Sequence, residues 1–371
     1  MRFIDLSEQY RRYKQEIRSE IDAVLDSAQF IMGPQLEAFE AELAEHAQVA
    51  NVVGCASGTD ALLMVLMALE VGPGDEVVVP DFTFIAPAEM VAVLRATPVL
   101  CDIDARSFCV APEQVARALT EKTKAIIGVS LFGQCCELPA LESIAQQAGL
   151  PLIEDAAQSY GASIGSRRSG SFGYSGTTSF FPAKPLGAYG DGGAILTDDD
   201  DLAMELRSIL NHGQSGRYEH PRLGVAGRLD ALQAAVLRVK LRHFDAECVA
   251  RQEVANWYEE YLPAAVELPR LSPGHTSVWA QYTIRVANRG EIAARLGELG
   301  VPTAVHYPKP LHRQGALALA SRDHDDDAFP EATRAAREVL SLPMHPFLER
   351  EQVRGICDAV SKAVELIGVS P

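Results

Sequence analysis

The chain has 371 residues, 47% hydrophobic and 22% charged, which excludes a disordered or fibrous protein and leads us to expect two domains. With 33 Lys and Arg against 50 Asp and Glu, the net charge is −17, and the basic residues are scattered singly or in pairs. A surface that acidic repels a phosphate backbone, which argues against nucleic acid as a partner. The most apolar stretch, Ala61 to Leu69, falls far short of the roughly 20 residues that cross a bilayer, so no membrane span is expected. The N-terminal stretch lacks a signal-peptide core. The seven cysteines lack the paired spacing of a zinc site, so reduced, buried thiols in a cytoplasmic protein are expected.

From about residue 50 to 200, short β-branched runs alternate with helical periodicity. Thr59–Glu70 reads as a helix, Glu76–Val79 as a strand, and Ala86–Leu94 as a helix. Ala125–Val129 is a strand, Leu138–Ala148 a helix, and Leu152–Glu154, Thr177–Phe181 and Ala194–Thr197 are strands. This alternation predicts an α/β fold, a mostly parallel sheet covered by helices on both faces, with ligands beyond the carboxyl ends of its strands. Beyond 200, helices are expected at Leu202–Leu210, Asp230–His243 and Glu247–Leu262. An alternating stretch at Trp279–Val286 and late helices near Ala332–Leu340 and Arg350–Ile367 predict a smaller α+β domain. The division is placed at 1–245 and 246–371.

Four segments point to chemistry. Ser57, Gly58 and Thr59 open a helix whose first N–H groups are unpaired, a setting that holds phosphate; the alternative is that Ser57 only caps the helix. Glu154, Asp155 and Gln158 follow a buried strand, where an Asp is either a structural anion or a group aimed at a ligand. Lys184 lies among Phe181, Pro182 and Leu186 before a glycine-rich turn, and partial burial there frees a neutral amine for Schiff-base chemistry. Phe82 and Phe84 follow the Glu76–Val79 strand, where an aromatic either stacks on a flat ligand or joins the core. A phosphate-binding helix start, a strand-end Asp and a loop Lys together match pyridoxal phosphate. The acidic runs Asp198–Asp201 and Asp323–Asp327, with His324, lack calcium-loop spacing and are read as solvent loops; no metal is expected.

The motifs that carry a resemblance run nearly end to end. They are Phe30 to Pro34, Ala56 to Leu62, Pro80 to Ala86, Glu154 to Gln158, Ser179 to Lys184, Gly190 to Ala194, Arg228 to Ala235 and Leu342 to Pro346, after Phe3 to Leu6 at the start. In this order they resemble the DegT/DnrJ/StrS family of sugar-nucleotide aminotransferases. The resemblance implies the aspartate-aminotransferase (type I) fold, with a seven-stranded sheet in a large domain and a smaller C-terminal α+β domain. It implies that Lys184 forms the internal aldimine with pyridoxal phosphate, which passes through its pyridoxamine form in turnover, and that Asp155 pairs with the pyridine nitrogen. Gln158 would approach the phenolic oxygen, Phe84 would stack on the ring, and Gly58, Thr59 and Ser179 would hold the phosphate. Family members that dehydrate deoxysugars carry His at the position of Lys184, so the lysine implies aminotransfer.

One departure stands out. The family commonly has Gly-x-Asn-x-Arg before the Leu229 to Ala235 stretch, its Asn reaching the phosphate across a homodimer interface; here Ala226 takes that place. The branch resembled aminates C3 of a UDP-linked 2-acetamido-3-oxo-glucuronic acid with L-glutamate as donor, releasing 2-oxoglutarate, for surface polysaccharides such as the O-antigen of lipopolysaccharide. Arg228 would hold the uronate carboxylate, or alternatively form an interface salt bridge, and His306, Tyr307 and His312 are candidates to face the sugar. The competing expectations are a dTDP-ketosugar aminotransferase acting at C3 or C4, and a regulatory protein that keeps the fold without turnover.

Overall fold

The computed structural model describes residues 1–318, 320–321 and 325–367. The chain opens with two helices, α1 (Leu6–Ser27) and α2 (Pro34–Ala47). Asp5 caps α1 by accepting the Glu8 N–H at 3.0 Å, and Pro34 begins α2 where its missing N–H is no loss. There follow β1 (Asn51–Cys55), α3 (Gly58–Ala68), β2 (Glu76–Pro80), α4 (Ala86–Val93) and β3 (Thr97–Cys101). Next come α5 (Pro112–Ala118), β4 (Thr123–Val129), α6 (Leu138–Ala148) and β5 (Leu152–Asp155). A short hairpin of β6 (Ser163–Ile164) and β7 (Arg167–Arg168) leads to β8 (Ser175–Ser179) and β9 (Gly193–Thr197).

Seven of these strands form one sheet in the order β1-β9-β8-β5-β4-β2-β3, with β9 alone antiparallel to its neighbours. The sheet is therefore mostly parallel, as expected. Val77, Val78, Val79, Ile126, Ile127 and Ile153 are all buried, because helices cover both faces and leave no polar side. Two strands of this sheet are absent from the sequence reading, β1 and β3. Glycine and proline interrupt their apolar runs at Gly54 and Pro98. A Cβ at Gly54 would meet Leu36 Cδ1 at 2.9 Å, so the residue that weakens the strand signal admits α2. β8 lies two residues before the expected Thr177–Phe181 because Phe180 leaves the strand to meet Phe39 edge-on, their centroids 5.4 Å apart.

Beyond the sheet come α7 (Asp200–Ile209) and α8 (Ala231–Tyr261). The two helices expected between 230 and 262 are one helix of 31 residues. Neither Gly nor Pro interrupts the stretch, and Phe244 and Glu247 are buried where a break was placed. The first half of α8 packs on α1 and α2. Its last turns (Val254, Ala255, Tyr258) enter a second core with β10 (Tyr282–Arg285), α9 (Arg289–Glu298), β11 (Val339–Leu342) and α11 (Arg350–Ile367), whereas α10 (Pro330–Glu338) buries Ala332, Ala335 and Ala336 in the core of the main sheet. There Tyr258 stacks on Tyr282 at 4.5 Å and donates its hydroxyl to the Pro343 carbonyl at 2.7 Å. One core gives way to the other within α8, and we keep 1–245 and 246–371 as a proposed division.

Between α9 and α10 the chain returns to the main sheet through a buried histidine. Asp81, just after β2, accepts the His312 backbone N–H at 2.7 Å and faces its Nδ1 at 2.6 Å, while Asp326 faces Nε2 at 2.9 Å. His312 stacks on Phe329, 4.9 Å between centroids. Burial opposes a charge on the ring, but the hydrogen bonds to Asp81 and Asp326 outweigh it and raise the pKa above 6.5. A histidine raised on folding stabilises fully below its unfolded pKa, and that contribution is lost as pH rises through the folded value. His312→Gln is expected to cost about 3–5 kcal/mol below pH ~6.5, as breaking a buried pair does. The difference from wild type should shrink as pH is raised above that point. Urea unfolding of both proteins between about pH 5.5 and 9 measures this, and a pH-independent difference would mean a neutral ring.

Candidate active site

A cavity of about 450 Å³ opens at the carboxyl ends of the parallel strands. Asp155 is the last residue of β5 and is buried, its Oδ1 accepting the Ala157 N–H at 3.0 Å. Lys184 comes from the loop after β8, pinned where its N–H donates to the Phe181 carbonyl at 2.8 Å. Both side chains line the cavity and act on each other. Burial pushes the Asp155 carboxyl up, with the Ala157 N–H and Lys184 pulling it back. Burial pulls the Lys184 amine down, against the attraction of Asp155.

The start of α3 also lines the cavity. Ser57 caps it, accepting the Asp60 N–H at 3.0 Å, so the capping role weighed above is real. The first intrahelical bond runs from Ala61 N–H to the Ser57 carbonyl, which leaves the Gly58 and Thr59 amides ahead of it at the cavity. A Cβ at Gly58 would lie 2.7 Å from Ser179 Cβ, so only glycine lets the helix start approach the end of β8. Ser179 lines the same corner.

Phe84 leaves 53% of its surface exposed and lies 6.0 Å from the Tyr307 ring. Gln158 accepts the Phe132 N–H at 3.0 Å and donates to the Tyr307 hydroxyl at 3.1 Å. Beside it His306, also in the cavity wall, is hydrogen bonded through Nδ1 to the Ser341 hydroxyl at 3.1 Å. Burial first and Lys184 second push its pKa below 6.5, keeping the ring neutral.

Two residues from the sequence reading lie elsewhere. His312 does not reach the cavity: both its ring nitrogens face carboxylates, so it ties the 306–312 segment to β2. Arg228 is also absent from the wall of this chain's cavity. It bridges Cys55 through its backbone and donates from Nη1 to Asn211 Oδ1 at 2.6 Å. Glu154, next to Asp155, serves the scaffold: it accepts the Ser169 hydroxyl at 2.6 Å and the Gly170 N–H at 2.8 Å, and burial pushes it up to about 7. Gln281 was missed. It lines the cavity, and its Oε1 is buried with no hydrogen-bond partner among the described residues. The signal was a lone amide inside an apolar alternating run.

The seven cysteines are free thiols, six of them buried. Asp198 and Asp199 accept backbone N–H groups of Ala50 and Leu202, and among the described residues no cluster is placed to hold a metal. Asp323 and His324 lie outside the described residues.

The cavity suits pyridoxal phosphate. It offers a coupled Lys and Asp, unpaired amides for a phosphate at a corner too close for any Cβ, an exposed aromatic face and an orphan amide oxygen. The DegT/DnrJ/EryC1/StrS aminotransferase family matches residues 11–361. Over 361 residues the chain is 48% identical to the UDP-2-acetamido-2-deoxy-3-oxo-D-glucuronate aminotransferase of Pseudomonas aeruginosa, covering 97% of this chain and 99% of that one. It is 43% identical over 362 residues to the UDP-N-acetyl-3-dehydro-alpha-D-glucosamine 3-aminotransferase of Acidithiobacillus ferrooxidans, covering 97% of each. The crystal structure of DesV from S. venezuelae, in complex with a ketimine intermediate, superposes with a TM-score of 0.95 at 39% identity, covering 98% of both chains. The chain belongs to the DegT/DnrJ/EryC1/StrS aminotransferase family: it is a pyridoxal-phosphate-dependent aminotransferase of the aspartate-aminotransferase fold.

Proposed function

We propose that this enzyme moves the amino group of L-glutamate to C3 of UDP-2-acetamido-2-deoxy-3-oxo-glucuronic acid, in the cytoplasm and as a homodimer, for surface polysaccharide such as O-antigen. The full-length likeness to the Pseudomonas enzyme carries this reading. No helix among the described residues is long and apolar enough to cross a membrane, which fits it.

Lys184 and Asp155 are the catalytic residues on this reading. The cofactor, when bound, supplies an electron sink for the charge left when a hydrogen leaves the substrate carbon. Lys184, made less basic by burial, takes that proton from the amino-bearing carbon and returns it across the exchange. Asp155 would hold a proton on the ring nitrogen. The start of α3, with Gly58, Thr59 and Ser179, would bind the phosphate; Phe84 would cover the ring, and Gln158 would approach its phenolic oxygen. His306 and Tyr307 face the sugar. Arg228 lies outside its own cavity, and we assign it to the cavity of the second copy, where a guanidinium grips a uronate or glutamate carboxylate bidentately. Ala226 offers no side-chain donor to that corner.

Incubation with glutamate and a panel of UDP- and dTDP-ketosugars tests the substrate. Release of 2-oxoglutarate with the UDP-uronate, and the matching product mass, is the expected result; turnover only with dTDP-sugars would overturn it. Lys184→Ala is expected to abolish the absorbance band of the lysine-linked cofactor and lower kcat by about 10³-fold, measured by spectrum and steady-state assay. Asp155→Asn should keep the cofactor bound while lowering kcat by about 10²-fold or more, and near-normal turnover would remove its role. Arg228→Ala should harm the uronate substrate more than a neutral hexose by about tenfold in kcat/KM, whereas equal losses would make it a structural residue.

A further inference from the structure

Lys240, on α8, is a buried lysine outside the cavity wall, only 3% exposed. Its Nζ donates to the Gly187 carbonyl at 2.5 Å and sits 4.1 Å from the centroid of the Tyr189 ring. Both partners belong to the loop that carries Lys184. That loop closes on itself: the Ala188 N–H donates to the Phe180 carbonyl at 2.7 Å, enclosing the Lys184-to-Phe181 bond that pins Lys184. It closes tightly, since a Cβ at Gly187 would lie 2.5 Å from the Pro182 carbonyl oxygen.

Gln233, two helical turns earlier on the same face of α8, holds the loop's far end. It accepts the Tyr189 N–H at 2.8 Å and donates to the Tyr189 carbonyl at 3.4 Å. α8 is thus a rail with two clamps on one loop. Burying an ammonium costs several kcal/mol, a penalty that a methionine filling the same space would not carry. Burial pulls the Lys240 amine down to about 7, with Glu247 opposing. Charged or neutral, it keeps an N–H for Gly187.

We propose that Lys240 is a positioning residue for aminotransfer: through Gly187 it fixes the loop that presents the Lys184 amine to the cavity. The proposal rests on the assignment of Lys184 as the amine that binds the cofactor.

Hydrogen exchange on the holoenzyme, read together with steady-state kinetics, tests it. In Lys240→Met, exchange across residues 181–189 is expected to rise at least about tenfold while β4 and β5 stay as in wild type. Its kcat should fall by about tenfold or more with KM for the nucleotide sugar within about twofold, the signature of a misplaced reacting group. Lys240→Arg keeps a cationic donor and is expected to hold loop exchange within about threefold of wild type. Unchanged loop exchange in Lys240→Met, exchange raised equally throughout the chain, or identical behaviour of the two variants would each overturn the proposal. Borohydride trapping and peptide mapping of wild type judge the parent assignment separately. A label away from the Lys184 peptide would defeat that assignment, whatever the exchange data show.

Discussion

Two opposite charges share one desolvated cavity, and the architecture around it follows from keeping them there. Asp155 ends β5, and β5 pairs with β8 in a register that sets Asp155 beside Thr177, seven residues before Lys184. Burial pushes each group toward its neutral form, and each resists that push in the other. In a medium of low dielectric such coupling is strong and falls slowly with distance, so the strands need only bring the pair to the same end of the sheet. A parallel arrangement does this naturally, since every strand delivers its carboxyl end to one edge.

The rest of the site is brought in by close approaches and buried ties. Glycine at 58 lets the α3 start reach the end of β8. The His312 tie to Asp81 carries the segment bearing His306 and Tyr307 back onto β2 from beyond the second core. Gln158 then joins that segment to the main sheet, bonding Phe132 on one side and Tyr307 on the other. The cavity is therefore walled by both halves of the chain. On the proposed assignment, a change in how they meet would alter the substrate side before the cofactor side, because Asp155, Lys184 and the α3 start all belong to the first half.

Adjacent residues on a strand show how finely such roles divide. Glu154 and Asp155 are both buried carboxylates, yet alternation along β5 sends them to opposite faces. Glu154 meets Ser169 and the Gly170 and Phe172 amides and stitches a loop to the sheet. Asp155 meets the cavity.

Local pattern was enough to read the strand–helix alternation, the mostly parallel sheet and the segments holding Gly58, Phe84, Asp155 and Lys184. Each of these depends on a short run of residues and on the rule that ligands gather at strand ends. Motif order along the chain pointed to the family as well. Only the tertiary structure decided that α8 is one helix, that β1 and β3 join the sheet, that Gln281 lines the cavity, and that His312 and Arg228 do not. These outcomes turn on partners from 17 to 231 residues away, such as Asn211 for Arg228 and Asp81 for His312. A side chain's type announces what it can bond, but the partner it meets is set by packing between distant segments.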